Sequence, residues 1–222
     1  MGKAWFVTGT DTGIGKTFVT CALLRGAAAR GLRAVGMKPV AAGTERINGR
    51  IINEDTARLM AAASLKADER LVTQYCLQAP IAPHLAAREE GVQIDFSRID
   101  EALHALQAQA DRVFVEGAGG LLVPLDEQRD YADLAVALKL PVILVVGMRL
   151  GCINHALLSV TALQVRGLTL AGWVANRIDP AMLRFEDNLQ SLRERIAAPL
   201  LGVVGHGEEE AAIDLDQGLA AR

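Results

Sequence analysis

Residues 9–17 read GTDTGIGKT, a stretch that ends in the Gly-Lys-Thr of a phosphate-binding loop. The usual spacing, G-x-x-x-x-G-K-[ST], puts a glycine where Thr10 stands, and the nearest one, Gly9, comes a residue early. The chemistry on offer is still clear. Backbone N–H groups of a glycine-containing turn that runs into a helix form a cradle for anions. Gly13, Ile14, Gly15 and Phe18 would supply that cradle, Lys16 would reach the terminal phosphates, and the Thr17 hydroxyl is a ligand for Mg²⁺.

Further polar residues stand where apolar runs end. Lys38 closes the run at 34–38 and is either a plain strand-exit lysine or a cation that stabilises charge on a transferring phosphoryl group. Glu116 closes the run at 112–116, a position suited to holding Mg²⁺ opposite a phosphate loop. Gly117, Ala118, Gly119 and Gly120 follow it, and the glycines among them let a ligand approach the backbone closely. Asp55 opens a helix, where it serves the helix dipole or acts as a third hard-oxygen ligand for Mg²⁺. Asn176 offers a donor and an acceptor to a purine edge. With Arg177, Ile178 and Asp179 it also loosely matches the guanine-reading N-K-x-D, so spacing leaves ATP and GTP both open. Gly151, Cys152 and Asn154 mark a helix start of the kind that favours a carboxylate. The four histidines, His84, His104, His155 and His206, have no metal-ligand spacing.

The elements that must position these groups alternate. Strands are expected at 4–8, 34–38, 112–116, 142–146, 171–176 and 200–204, most of them apolar on successive residues, as in a parallel sheet covered on both faces. Helices are expected at 16–30, 54–63, 98–110, 131–138, 153–166 and 181–196. Asn53, Ser97 and Asp130 are the expected N-caps, and Gly31 and Gly167 the expected stops. The pattern describes an α/β protein: one three-layer α/β/α domain over residues 1–222 with a mostly parallel central sheet. Residues 41–91 carry few strand signals and read as an active-site surface. The acidic run at Glu208, Glu209 and Glu210 reads as a solvated end.

Composition narrows the partners. A net charge of -3 gives no pull toward nucleic acid or an anionic membrane. The longest strongly apolar run, 140–146, is too short to cross a bilayer, and no secretory leader pattern precedes residue 5. Three widely spaced cysteines argue against a disulfide framework or a structural zinc site. A soluble cytoplasmic protein is expected.

In order along the chain, TGTDT at 8–12, GKT at 15–17, Lys38-Pro39-Val40, Asp55, Pro83-His84, VEGAGG at 115–120, PVILVV at 141–146, GCINH at 151–155 and GWVAN at 172–176 resemble the dethiobiotin synthetases. The resemblance covers nearly the whole chain and implies the P-loop NTPase fold. It also implies an ATP- and Mg²⁺-dependent ligase that closes a ureido ring from 7,8-diaminononanoate and CO₂, through a carbamate and a carbamic-phosphoric anhydride. Under it, Lys16 and Lys38 serve the phosphoryl group, with Thr12 as the third catalytic position. Thr17, Asp55 and Glu116 hold Mg²⁺, and Asn176, Arg177, Gly205, His206 and Gly207 border the base. Thr12, Lys38, Ala42 and Gly119 border the carbamate. The family is dimeric, with the substrate carboxylate met by Gly151, Cys152 and Asn154 of the partner. This chain departs from the family at Gly13, often acidic there, and at Ala42 and Ala82, often Ser. A tyrosine that some members place at the substrate carboxylate has no clear counterpart around 185–188.

Three other families of nucleotide-binding protein compete for these residues. A partition or targeting switch ATPase would carry a signature lysine where Asp11 stands. A glutamine-dependent amidoligase would need a glutaminase domain, for which 222 residues leave no room. A GTP-binding regulator rests on residues 176–179 alone.

Overall fold

The computed structural model describes residues 1–47, 50–208, 211, 213 and 214. Glu209 and Glu210 of the acidic run lie outside the described residues. Six strands form the central sheet: β1 (Lys3–Gly9), β2 (Ala34–Met37), β7 (Arg112–Gly120), β8 (Val142–Gly147), β9 (Leu170–Asn176) and β10 (Leu200–Val204). Their order is β10-β9-β8-β1-β7-β2 and every pairing is parallel.

Apolar residues on both parities of each strand are explained by a separate core on each face. Phe6, Val113, Val115 and Val142 pack with Ile99, Leu103 and Leu106 of α5 (Phe96–Gln109) and with α6 (Tyr131–Ala137). Trp5, Val7, Phe114, Ile143 and Val145 face the other way, onto Val19, Leu23 and Leu24 of α1 (Lys16–Ala29) and Leu59 of α2 (Glu54–Ala62). Leu144, Val146 and Trp173 extend the first face beneath α7 (Cys152–Val165) and α8 (Phe185–Arg195). The result is the expected three-layer α/β/α arrangement. Among the described residues no helix is long and apolar enough to cross a membrane.

Some boundaries differ from the expectations, each for a local reason. The helix expected at 98–110 starts at Phe96, because Asp95, not Ser97, is its cap: the Asp95 carboxylate accepts from the Ser97 N–H at 2.9 Å. The helix expected from 181 starts at Phe185, since Asp179 accepts from the Ala181 N–H in a turn and Arg184 is left-handed with φ 54. Asn53 and Asp130 cap as expected, and Gly31 and Gly167 end their helices with φ 75 and 67. Residues 41–91 are more regular than their sequence suggests. Here β3 (Val40–Ala42) pairs in parallel with β6 (Tyr75–Leu77), β4 (Glu45–Ile47) pairs with β5 (Arg50–Ile52), and α3 (Glu69–Val72) and α4 (Pro83–Glu89) follow. Three-residue strands are too short to show a period.

Candidate functional site

Parallel pairing brings the carboxyl ends of the strands to one edge of the sheet. β2 and β7 lie on one side of β1 and β8 on the other, so the chain reverses direction across the sheet beside β1, where ligands of open α/β sheets bind. Register then sets which side chains meet. Met37 pairs with Val115, so the next residues, Lys38 and Glu116, stand level, and Glu116 in turn pairs with Val7 of β1.

The centre of the site is a cluster of four side chains. The Lys38 ammonium donates to Glu116 Oε1 at 2.7 Å and the Gly117 carbonyl at 3.3 Å, and it lies 3.0 Å from Asp55 Oδ2. The Thr17 hydroxyl lies 2.8 Å from both Asp55 Oδ1 and Glu116 Oε1. Glu116 is fully buried, and its Oε2 has no hydrogen-bond partner. Burial alone would lower the Lys38 pKa, but the Glu116 and Asp55 carboxylates outweigh it and raise it. Burial would likewise raise the Asp55 pKa, and Lys38 and Thr17 reverse that and lower it. Lys38 is therefore a permanent ammonium between two anions.

These oxygens suit Mg²⁺. One hydroxyl carries one proton, so Thr17 can donate to only one of the two carboxylates it touches. The second close oxygen pair, together with the orphaned Glu116 Oε2, is a set of hard donors short of positive charge. Among the described residues no three His, Cys, Asp or Glu side chains gather as a metal cage. Two carboxylates and a hydroxyl are what a Mg²⁺ completed by waters and substrate phosphates requires.

The phosphate loop is fastened at both ends. Gly15, with φ 80, is the N-cap of α1, and Lys16 follows it, buried, with Nζ 3.0 Å from the Asp11 carbonyl. Burial, and next the nearby Lys38, lower the Lys16 pKa to about 8. Beneath the loop, Asn176 Nδ2 donates to the Ile14 carbonyl at 2.7 Å. At the other end the Thr10 N–H donates to the Val145 carbonyl at 3.0 Å, and Thr10 Oγ1 accepts from the Gly147 N–H at 3.3 Å. Asp11 pairs with Arg149 at 2.6 Å and accepts from the Thr12 N–H. The residues that displace the usual glycine thus bind the loop to the end of β8.

A cleft of about 650 Å³ opens over this cluster. It gathers Thr12, Gly13, Gly15, Lys16, Thr17 and Phe18 of the loop with Lys38, Ala42 and Asp55, and with Ala82, Ala118 and Gly119. Glu116, Gly117 and Ile14 lie beneath rather than in its wall. Arg58, Pro80, Ile81 and Val123 also line it and were not foreseen. Arg58 pairs with Glu54 four residues earlier, which in sequence looks like an ordinary helix-surface pair. Asn176 and Gly205 stand at the ends of neighbouring strands, since Asn176 pairs with Val204, and His206 is exposed beside them. Arg177 turns its guanidinium away to lie 4.8 Å over Phe185. Gly151, Cys152 and Asn154 do not line this chain's cleft; Cys152 is buried, while Gly151 and Asn154 face outward.

A family model described as an AAA domain matches residues 3–210. The ATP-dependent dethiobiotin synthetase BioD of Aromatoleum aromaticum is 63% identical over 204 residues, which cover 92% of this chain and 91% of that protein. The chain belongs to the dethiobiotin synthetase family. The synthetase of the same name from Nitrosospira multiformis is 52% identical over 215 residues, 97% of this chain and 93% of that one. Solved structures that resemble this one share its fold alone. FtsY of Mycoplasma mycoides superposes with a TM-score of 0.58 at 14% identity, covering 99% of this chain and 67% of that one. The septum site-determining protein MinD of Pyrococcus horikoshii, solved with Mg-ADP, gives 0.53 at 16% identity, covering 99% and 90%. These neighbours are P-loop NTPases, as the fold of this dethiobiotin synthetase relative was expected to be.

Proposed function

We propose that this protein is an ATP-dependent dethiobiotin synthase that joins 7,8-diaminononanoate and CO₂ within a single domain. The observation that carries the reading, together with the family, is the Lys38 ammonium held between two carboxylates beside the phosphate loop. An amine of the substrate adds CO₂ and loses a proton to give a carbamate. A carbamate oxygen attacks the γ-phosphorus of ATP, ADP departs, and a carbamic-phosphoric anhydride forms. The second amine attacks its carbonyl carbon, phosphate leaves, and the ureido ring is closed. Lys16 and Lys38 stabilise the negative charge that builds on the phosphoryl oxygens. Thr12, Ala42 and Gly119 border the carbamate, and Thr17, Asp55 and Glu116 would hold Mg²⁺, which neutralises phosphate charge when bound. Asn176, with Gly205, His206 and Gly207 nearby, recognises adenine; a titration with ATP, GTP and CTP checks this.

ADP release should require both the diamine and CO₂ or bicarbonate. Equal hydrolysis without the diamine would sink the ligase reading.

Lys16 sets a pH dependence. The ligand-free ammonium titrates at about 8, and phosphate anions favour its charged form. Nucleotide binding should therefore take up a proton above pH 8, and affinity should fall by up to about tenfold per pH unit there. Calorimetry at pH 8.5–9 in buffers of different ionisation enthalpy measures the uptake. The ligand-free fold responds in the opposite sense. The cost of a buried ammonium is full below about 8 and is relieved as pH rises toward 10.5, so Lys16 adds stability through that window.

The protein acts as a homodimer on this reading. Leu150 in the turn before α7, and Leu158 and Val165 along it, are exposed at 93%, 61% and 80%. Together they form an apolar face that continues from the helix start meant for the partner's substrate. Leu158→Glu should yield monomers in light scattering and raise the KM for the diamine, with nucleotide binding retained. The free thiols of Cys21, Cys76 and Cys152 support a cytoplasmic location.

A further inference from the structure

Asn53 is buried and every polar atom of its side chain is engaged. Its Oδ1 accepts from the Thr56 N–H at 3.1 Å and so caps α2, the helix that carries Asp55. Its Nδ2 points the other way and donates to the Ala42 carbonyl at 3.3 Å and the Gly43 carbonyl at 3.0 Å. One amide therefore fixes two separate parts of the cleft: the start of the helix that brings Asp55 to Thr17 and Lys38, and the turn that forms the facing wall.

That wall depends on main-chain bonds. Gly43 has φ 79, and a Cβ built there would lie 3.1 Å from Pro80 Cβ, so the turn is pressed against the residue beside it in the cleft. Ala42 contributes no hydroxyl. The turn is held by the two bonds from Asn53, by those from the Gly43 and Thr44 N–H groups to the Ala79 and Gln78 carbonyls, and on the Ala42 side by the pairing of β3 with β6. Asp55, by contrast, keeps its own anchors in Thr17 and Lys38.

We propose that Asn53 is a positioning residue for the diamine: its amide N–H bonds hold the Ala42–Gly43 wall at a set distance from the Asp55 helix start, and with it the acceptor beside the phosphate loop. This rests on the ligase reading of the cleft.

The two ends of the amide can be separated. Asn53→Asp keeps size and cap but presents an oxygen to the two carbonyls. Asn53→Ser keeps a capping oxygen and cannot span to both carbonyls. Thr56→Ala keeps the capping N–H, removes the Thr56 hydroxyl contacts to Asn53 Oδ1 at 3.4 Å and to Thr73 Oγ1 at 2.9 Å, and leaves both bonds from Asn53 Nδ2 in place. Both Asn53 variants should raise the KM for the diamine by about tenfold, which is about 1.4 kcal/mol, while the dissociation constant of a fluorescent ADP analogue changes little. The melting temperature should stay near wild type in Asn53→Ser and fall in Asn53→Asp, whose buried carboxylate faces two carbonyls. Thr56→Ala should leave the KM for the diamine in place. Diamine and nucleotide affinities that fall together with melting temperature would make Asn53 a structural residue only and overturn the assignment. An unmoved diamine KM in an active enzyme would overturn it as well. A wild-type protein without diamine-dependent ADP release would overturn both this assignment and the ligase reading.

Discussion

Lys38→Met should lower turnover by about 10²–10³-fold, the usual loss when one preorganised charge donor is taken from a transition state. The same change should destabilise the metal-free protein by about 3–5 kcal/mol, because removing one partner of a buried pair leaves the other charge uncompensated. Most of that cost falls on Glu116, whose side chain is 0% exposed. The Asp55 side chain is 40% exposed, so solvent screens its share. Millimolar Mg²⁺ should restore much of the lost stability in the variant, since Thr17, Asp55 and Glu116 present the oxygens for a replacement cation. Catalysis should not return. Lys38→Arg separates the two roles: a guanidinium keeps the charge between the carboxylates but not the compact ammonium geometry. Its melting temperature should approach wild type while turnover stays low. Near-normal turnover in Lys38→Met would remove Lys38 from the mechanism.

The placement of Lys38 and of Glu116 beside the phosphate loop was legible in the sequence, for a physical reason; their pairing was not, and β7 runs on past Glu116 to Gly120. In a parallel sheet buried on both faces, a charged residue is tolerated at a strand's carboxyl end, where the ligand lies. A lysine and a glutamate that each close an apolar run stand out against that background. The anchor at Asn53 was legible only as a cap, since a capping sequence does not show what the rest of the amide reaches. The Asp11–Arg149 pair spans 138 positions and joins two exposed residues, so no local pattern signals it. Arg58, Pro80, Ile81 and Val123 reach the cleft through the folding of residues 41–91 and of the segment after β7, whose short elements leave no periodic trace. Asp95 and Ser97 are both good caps, and the structure uses the one that accepts from the other. The proposed phosphate contacts of residues 13–18 come from one loop and helix start and are local in sequence. The wall on the substrate side is assembled from distant turns.

Gly15→Ala should cost the protein at least tenfold in nucleotide affinity, although a methyl group is all that it adds. Gly15 has φ 80 and ψ 33, a left-handed conformation that costs an L-residue about 1–2 kcal/mol. The new Cβ would also fall 2.3 Å from Asn176 Nδ2, a distance at which something must shift. Neither neighbour yields freely. Asn176 is buried and its amide supports the Ile14 carbonyl from below. Ile14 is in turn pressed against Gly147, where a Cβ would lie 2.5 Å from Ile14 Cγ2. Displacing Asn176 therefore removes the strut under the loop and moves the residue proposed to read the base. Phosphate and base contacts should weaken together, in contrast to Gly13→Ala, where a Cβ meets nothing within 4 Å and only the strain at φ 73 is added. Binding of ATP and of inorganic triphosphate to both variants measures the difference. If Asn176 moves, Gly15→Ala loses affinity for ATP beyond its loss for triphosphate, whereas Gly13→Ala loses both equally. Equal losses in Gly15→Ala would show that Asn176 supports the loop without taking part in base recognition.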